Sequence, residues 1–314
     1  MKPGDVLDHY RIDSVVAESA SATVFRATDL RNDSNVAIKV PHPNMQSDPA
    51  FADRFSREVK IGELLDHPNI MKVIADPERI GIYMVMEWFD GKTLSEILKQ
   101  EGHLAVDRAV RIAILICDAL EYIHVQGFVH GGIRPENVMI GAGDSVKLID
   151  FEGAIRASAR RLTMAGLAQA LGPTNYISPE ELKGKRGDAR GDIYALGVML
   201  YQMLTGKLPF QSTALYDRIT NYPIPPREVD PAISPQLQEV IYRALEREPQ
   251  NRYANAHEFA QDLGHLDQVG VADRPELRDW KKKSGQQSKR YLRYALILAI
   301  PIAIFGLLLY MARR

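Results

Sequence analysis

Cysteine is almost absent: Cys117 stands alone in 314 residues. A disulfide framework within the chain and a multi-cysteine metal site are therefore excluded. Cys117 falls inside an apolar helical pattern, so it reads as a small core residue rather than a reactive thiol. Net charge is nearly absent too, with 39 Lys and Arg against 40 Asp and Glu, or −1. No whole-molecule field draws nucleic acid, and none is expected as a partner. The opening Met1-Lys2-Pro3-Gly4-Asp5 holds no apolar run, so no cleavable signal peptide is expected. No internal repeat is visible. What remains is ordinary globular material, 46% hydrophobic and 25% charged, enough for one large domain and an appendage.

Long apolar runs are missing as well, with one exception. Residues 294–312 are 19 consecutive uncharged positions, mostly Leu, Ile and Ala. As a helix rising ~1.5 Å per residue they reach about 28 Å, close to the hydrocarbon thickness of a bilayer. Tyr291, Tyr294 and Tyr310 stand where interface aromatics belong, and Pro301 and Gly306 are tolerated in a membrane helix. The bland alternative is a buried core helix, which would have to be apolar on every face. Arg274, Arg278, Lys281, Lys282, Lys283, Lys289, Arg290 and Arg293 precede the run, and Arg313 and Arg314 follow it. That bias places the larger part in the cytoplasm. The basic cluster is either a lipid-headgroup contact or a solvated flank.

Ahead of this, the pattern changes once. Tyr10 to Ala17, Ala22 to Thr28 and Val36 to Val40 read as strands. Phe51 to Asp66 reads as a helix, and Met71 to Ala75 and Gly81 to Trp88 read as strands. After Asp90-Gly91, a hinge in this reading, helices dominate: Val106 to Val125, Asp192 to Thr205 closed by Gly206, Pro235 to Arg247 and Asn255 to Leu266. Val138 to Ile140 and Val146 to Ile149 read as two short strands among them. The expected division is 1–89, a small β-rich lobe; 90–266, a helical lobe; 267–293, a charged juxtamembrane linker; and 294–312, a transmembrane helix.

Several spaced motifs sit on this frame. They are Val36-Ala37-Ile38-Lys39, Arg57-Glu58-Val59, His67-Pro68-Asn69-Ile70, His130-Gly131-Gly132-Ile133-Arg134-Pro135-Glu136-Asn137, Asp150-Phe151-Glu152, Ser178-Pro179-Glu180, Asp192 and Arg252. In this order, over residues 10–266, they resemble the Ser/Thr protein kinase family of bacterial type. The resemblance implies an α+β, bilobal kinase-like fold with ATP and Mg²⁺ as cofactors. It implies that Lys39 holds phosphates with Glu58 as its partner, that Asn137 and Asp150 are the metal ligands, and that Val24 lies under the nucleotide loop. Met86 becomes the gatekeeper, and the backbones of Glu87 and Trp88 meet the adenine edge. Glu180 pairs with Arg252, and Asp192 supports the catalytic-loop backbone. A solvated lysine and a surface carboxylate are the plain alternatives for Lys39 and Glu58.

The chain departs from the family at functional positions. Ala17, Ser19 and Ala22 stand where three glycines let backbone N–H groups approach phosphate. The Ser19 and Ser21 hydroxyls offer partial compensation. Gly132 replaces the Asp that takes the substrate hydroxyl proton, Arg134 replaces its Lys partner, and Glu152 replaces the Gly expected to let the metal loop turn. Gly172-Pro173-Thr174 inverts the family's Thr-Pro order. Thr163, Ser158 and Thr174, near Arg156, Arg160 and Arg161, are either phosphoacceptors or parts of a solvated basic loop.

The reading that follows is a membrane-anchored pseudokinase at the cytoplasmic (inner) membrane. No catalytic set is intact in it, and ATP and Mg²⁺ binding is weak or altered. It acts by binding other signalling proteins or kinases, or by lateral self-association. The alternatives are an active or weakly active Ser/Thr kinase, and an interaction module that takes no nucleotide.

Overall fold

A computed structural model describes residues 1–156, 174–185, 187–210, 221–274 and 277. The transmembrane expectation (294–312), most of the expected linker, and Ser158, Arg160, Arg161, Thr163, Gly172 and Pro173 lie outside the described residues. Among the described residues, no helix is long and apolar enough to cross a membrane.

The first lobe is an antiparallel sheet packed against one long helix. Strands β1 (Val6–Leu7), β2 (Tyr10–Glu18), β3 (Ala22–Asp29), β4 (Ser34–Pro41), β5 (Val73–Ile74) and β6 (Met84–Glu87) are ordered β1-β2-β3-β4-β6-β5. Alternation puts Tyr10, Ile12, Phe25, Ala27, Val36 and Ile38 into one apolar cluster. After the one-turn helix α1 (Pro43–Gln46), helix α2 (Pro49–Leu64) starts at Asp48, whose carboxylate accepts the Ala50 N–H. Its Phe51, Phe55 and Val59, spaced at four residues, pack with Val73 and Met84. The two strands expected before the hinge are shorter than read, because Met71 and Tyr83 are buried outside the ladders.

The second lobe is built around two long helices. Helix α4 (Val106–Val125) buries Ala109, Ile112, Ala113, Ile116, Cys117, Leu120 and Ile123 completely. Cys117 is therefore core, and burial pushes its thiol pKa up. Beyond β7 (Gly91–Thr93), helix α3 (Leu94–Glu101) escaped the sequence reading. Its signal was present as Thr93-Leu94-Ser95-Glu96, a reciprocal capping box. Short pairs β8 (Phe128–Val129) with β11 (Ile155–Arg156), and β9 (Val138–Gly141) with β10 (Val146–Leu148), frame the loops between them. Helices α5 (Pro179–Leu182), α6 (Ala189–Thr205), α7 (Pro226–Val229), α8 (Pro235–Ala244) and α9 (Ala256–Gly264) complete the described part.

Helix α6 is apolar nearly all round and runs through the lobe's centre. It ends as expected at Gly206, with φ 68°, where a Cβ would come within 2.6 Å of the Gly102 carbonyl. Backbone stitches join the lobes: Leu148 N–H donates to Asn69 O and Met71 N–H to Leu148 O, both at 2.8 Å.

Arg274 corrects one expectation. It was placed among the flanking basic residues, yet it is largely buried against α8. Its guanidinium donates to Glu239 at 2.7 Å and to Glu246 at 2.8 Å.

Candidate active site

Strand β4 carries Lys39 to the floor of the cleft, and α2 meets it there. The aromatic stripe that seats α2 on the sheet turns Glu58 inward. Lys39 Nζ donates to Glu58 Oε1 at 2.7 Å and to Oε2 at 3.0 Å, and lies 3.8 Å from Asp150 Oδ1. The two bland alternatives therefore do not describe this pair: neither is a solvated surface group. Burial works against the Lys39 ammonium, but Glu58, Asp150 and Glu152 outweigh it and hold its pKa above the ordinary value. Burial pushes Glu58 up to about 7, with Asp150 adding repulsion and Lys39 opposing both.

The catalytic loop hangs from one carboxylate. Asp192, buried on α6, accepts the N–H of His130 at 2.9 Å and of Gly131 at 2.8 Å, and contacts His124 Nε2 at 2.8 Å. That matches the role the resemblance assigned to it. His124, the next-to-last residue of α4, carries no motif in the sequence. Burial opposes the Asp192 charge, but the hydrogen bond and charge of His124 hold its pKa below the usual carboxylate value.

Gly131, where the family writes Arg, has φ +64°, and a Cβ there would sit 2.8 Å from Gly153 O. Gly132 is different. Its φ lies outside the left-handed region, and a Cβ would meet Asn137 Nδ2 at 3.4 Å and His130 Nδ1 at 3.5 Å. The backbone at 132 would admit a side chain; the one at 131 would not. His130 Nδ1 accepts the Gly132 N–H at 3.2 Å, which puts its neutral-form proton on Nε2. Burial also lowers the His130 pKa. Arg134 Nε bonds Glu136 Oε2 at 3.0 Å.

Asn137 and Asp150 are brought together by the backbone: Ile149 N–H donates to Asn137 O at 2.9 Å. Asn137 Nδ2 donates to Gly132 O at 2.8 Å. Mg²⁺ is usually held by one or two carboxylates plus substrate phosphates, so one carboxylate and one amide oxygen beside the Lys39 ammonium fit ATP and Mg²⁺. Glu152 does not obstruct the metal loop's turn, contrary to the expectation for a position where the family has Gly. Asp150 itself takes the left-handed conformation, φ +68°, and its Oδ1 accepts the Glu152 N–H at 3.0 Å. No glycine is needed at 152.

The nucleotide loop is tighter than its glycine-poor sequence suggested. Ala17 pairs with Val24 across the β2–β3 ladder, and Ala22 opens β3. Between them Ser19 Oγ accepts from Ala22 N at 3.0 Å and from Ser21 N at 3.3 Å, and donates to Ala22 O at 2.9 Å. The Ser19 hydroxyl is thus engaged within the turn, on the backbone of Ser21 and Ala22.

At the hinge, Met86 lies in β6 opposite Ala37. The Glu87 N–H is spent on Lys72 O at 2.9 Å, and the Glu87 carboxylate takes Lys147 Nζ at 2.6 Å. The adenine-edge expectation for Glu87 therefore loses its N–H. Trp88 Nε1 bonds Asp90 at 2.8 Å, with Arg26 over the ring at 4.9 Å.

Across the second lobe, Arg252 holds Glu180 in a buried bidentate pair at 2.6 and 2.7 Å. The sequence foresaw that pair. It did not foresee Arg54, whose Nε lies 3.7 Å from Glu152 Oε1. The available signal was spacing: Arg54 is four residues before Glu58, on the same face of α2.

A strand-built lobe carrying a Lys–Glu pair, joined to a helical lobe whose loops present Asn and Asp, defines the protein-kinase class of fold. The match to the protein kinase domain family spans residues 10–263, and the chain belongs to that family. It is similar to the serine/threonine-protein kinase PknB of Mycobacterium leprae, 35% identical over 270 residues, covering 83% of this chain and 43% of that one. It is likewise similar to PknB of Mycolicibacterium smegmatis, 33% identical over 284 residues, covering 88% and 45%. The chain thus spans less than half the length of these curated relatives. Among solved structures it is similar to the Mycobacterium tuberculosis PknI kinase domain: TM-score 0.67, 25% identity, covering 86% of this chain and all of that one.

Proposed function

We propose that this Ser/Thr protein-kinase-like signalling protein is a pseudokinase. It holds ATP and Mg²⁺ weakly and acts through its partners, anchored to the cytoplasmic membrane by residues 294–312. The observation that carries the reading is the surroundings of residue 132. Gly132 has no side chain, the adjacent His130 has its Nδ1 lone pair engaged, and Arg134 is turned to Glu136. No group described there takes a hydroxyl proton, and that help is typically worth ~10²–10⁴ in rate. Ser19 supports the weak-binding half, since a phosphate must displace its hydroxyl from the turn.

A second reading has its own observation. Glu58 and Asp150 both lie within 3.8 Å of the Lys39 ammonium, at 2.7 and 3.8 Å. Phosphoryl transfer depends largely on positioning and charge, so slow transfer to protein Ser or Thr is compatible with that geometry. Radiolabelled ATP and Mg²⁺ incubated with the full chain and a generic Ser/Thr substrate separate the two, with Asp150→Ala as control. Turnover at or below about 10⁻² of an ordinary kinase is expected. Ordinary turnover that vanishes in the control overturns the pseudokinase reading. For the anchor, residues 294–312 are expected to hold the chain in the membrane fraction after alkaline extraction. Release under those conditions refutes it.

A further inference from the structure

Helix α2 faces the metal loop with two side chains one turn apart, Arg54 and Glu58. Glu58 takes Lys39, and Lys39 reaches Asp150. Arg54 reaches Glu152, at 3.7 Å, and each of these two side chains is only about a quarter exposed (27% and 28%). The buried Arg54 Nε has no hydrogen-bond partner, so its charge is compensated by this ion pair and by a looser approach to the Phe51 ring at 5.9 Å. From the other side, Glu152 is tied to the loop through its N–H on Asp150 Oδ1. Two rungs therefore join helix and loop: Lys39 bridges Glu58 and Asp150, and Glu152 bridges Asp150's backbone turn to Arg54. A glycine at 152, which the family resemblance expects, would supply only the first.

We propose that Glu152 is a positioning residue: with Arg54 it latches α2 onto the metal loop, so that Lys39, Glu58 and Asp150 stay assembled before any nucleotide arrives. The change that sequence alone read as damage becomes a brace. The helix cannot swing away without separating Arg54 from Glu152 inside a partly buried seam, where neither charge recovers full hydration. The carboxylate of Glu152 is turned to α2 and so serves the site indirectly, through the placement of Asp150.

The test uses the full chain in detergent, with Arg54→Gln, Glu152→Gln, the double variant, and the swap Arg54→Glu with Glu152→Arg. The first readout is amide hydrogen exchange across 50–64 without nucleotide, with the amides of α6 as the internal control of folding. Each single variant is expected to speed exchange about 5–30-fold, the double variant no further, and the swap to recover much of the protection. The second readout, which rests on the proposed nucleotide site, is affinity for a fluorescent ATP analogue with Mg²⁺. It is expected to fall by a similar factor in each single variant and to return in the swap. Exchange within twofold of the parent in both single variants overturns the latch. Affinity lost in Glu152→Gln but not in Arg54→Gln overturns it too, and makes Glu152 a direct metal ligand. If exchange responds while the parent takes no analogue, the latch stands and the nucleotide reading falls.

Discussion

Replacing Gly132 with Asp is the sharpest perturbation this site allows. The backbone already accepts a side chain there. Its φ is not left-handed, and the new Cβ would meet Asn137 Nδ2 at 3.4 Å and His130 Nδ1 and Cε1 at 3.5 and 3.6 Å. Those contacts ask the neighbours for a few tenths of an ångström at most, so the fold should tolerate the change within about 1 kcal/mol. The Asn137 amide, now on Gly132 O at 2.8 Å, would face the new carboxylate as a donor. A positioned general base contributes ~10²–10⁴ in rate, or about 3–5 kcal/mol of barrier. The lower end is expected here, because Arg134 stays on Glu136 and the Ser19 hydroxyl still fills the phosphate turn. The assay is incorporation of labelled phosphate into a Ser/Thr peptide, with Gly132→Asn as the isosteric control and thermal melting as the check on folding. A gain of at least about 10² in kcat, absent in Gly132→Asn, is expected. A folded Gly132→Asp variant with no gain would refute the view that the missing base is what limits transfer.

Three further outcomes follow from the same geometry. Gly131→Arg, which would restore the neighbouring family residue, should instead lower Tm by at least about 4 °C in a melting experiment, because the left-handed backbone and the Gly153 carbonyl at 2.8 Å both oppose a Cβ. Ser19→Gly should free the Ser21 and Ala22 N–H groups and tighten Mg²⁺-ATP binding about 2–10-fold by calorimetric titration; unchanged affinity would mean the hydroxyl does not compete with phosphate. Asp192→Asn should cost about 3–5 kcal/mol at pH 7 in denaturant unfolding, since the buried charge facing the His130 and Gly131 N–H groups and His124 Nε2 is lost, and one of its two acceptor oxygens becomes an NH₂ donor aimed at another donor. Its folded pKa lies below the ordinary 3.8, so the stability it lends is present above that pH and drains away as pH falls through the lower folded value; the parent's acid slope below pH 3.8 should flatten in the variant.

Much of the frame was legible because its signals are local. The helical repeat marked Val106–Val125 to the residue, and the glycine after Thr205 marked the end of α6. The spacing of motifs foretold Lys39 with Glu58 and Glu180 with Arg252, across 19 and 72 residues of chain. Those residue types at those intervals belong to a known architecture, and the family match carries that part of the reading. Helix α3 has an equally local signal, the capping box of Thr93 and Glu96.

What composition and order alone determined, then, was the class of fold and the identity of the missing groups: an absent carboxylate at 132 and absent glycines at 17, 19 and 22 are facts of the sequence. Tertiary structure decided what each absence means. A dihedral angle, not a letter, makes Gly131 obligatory and Gly132 replaceable. The turn between β2 and β3 decides that Ser19 closes on itself, and the seating of α2 decides that Glu152 meets Arg54. These are matters of which atoms fall within a few ångströms after distant segments pack. Linear spacing cannot supply that, because the same residues in another backbone would meet other neighbours.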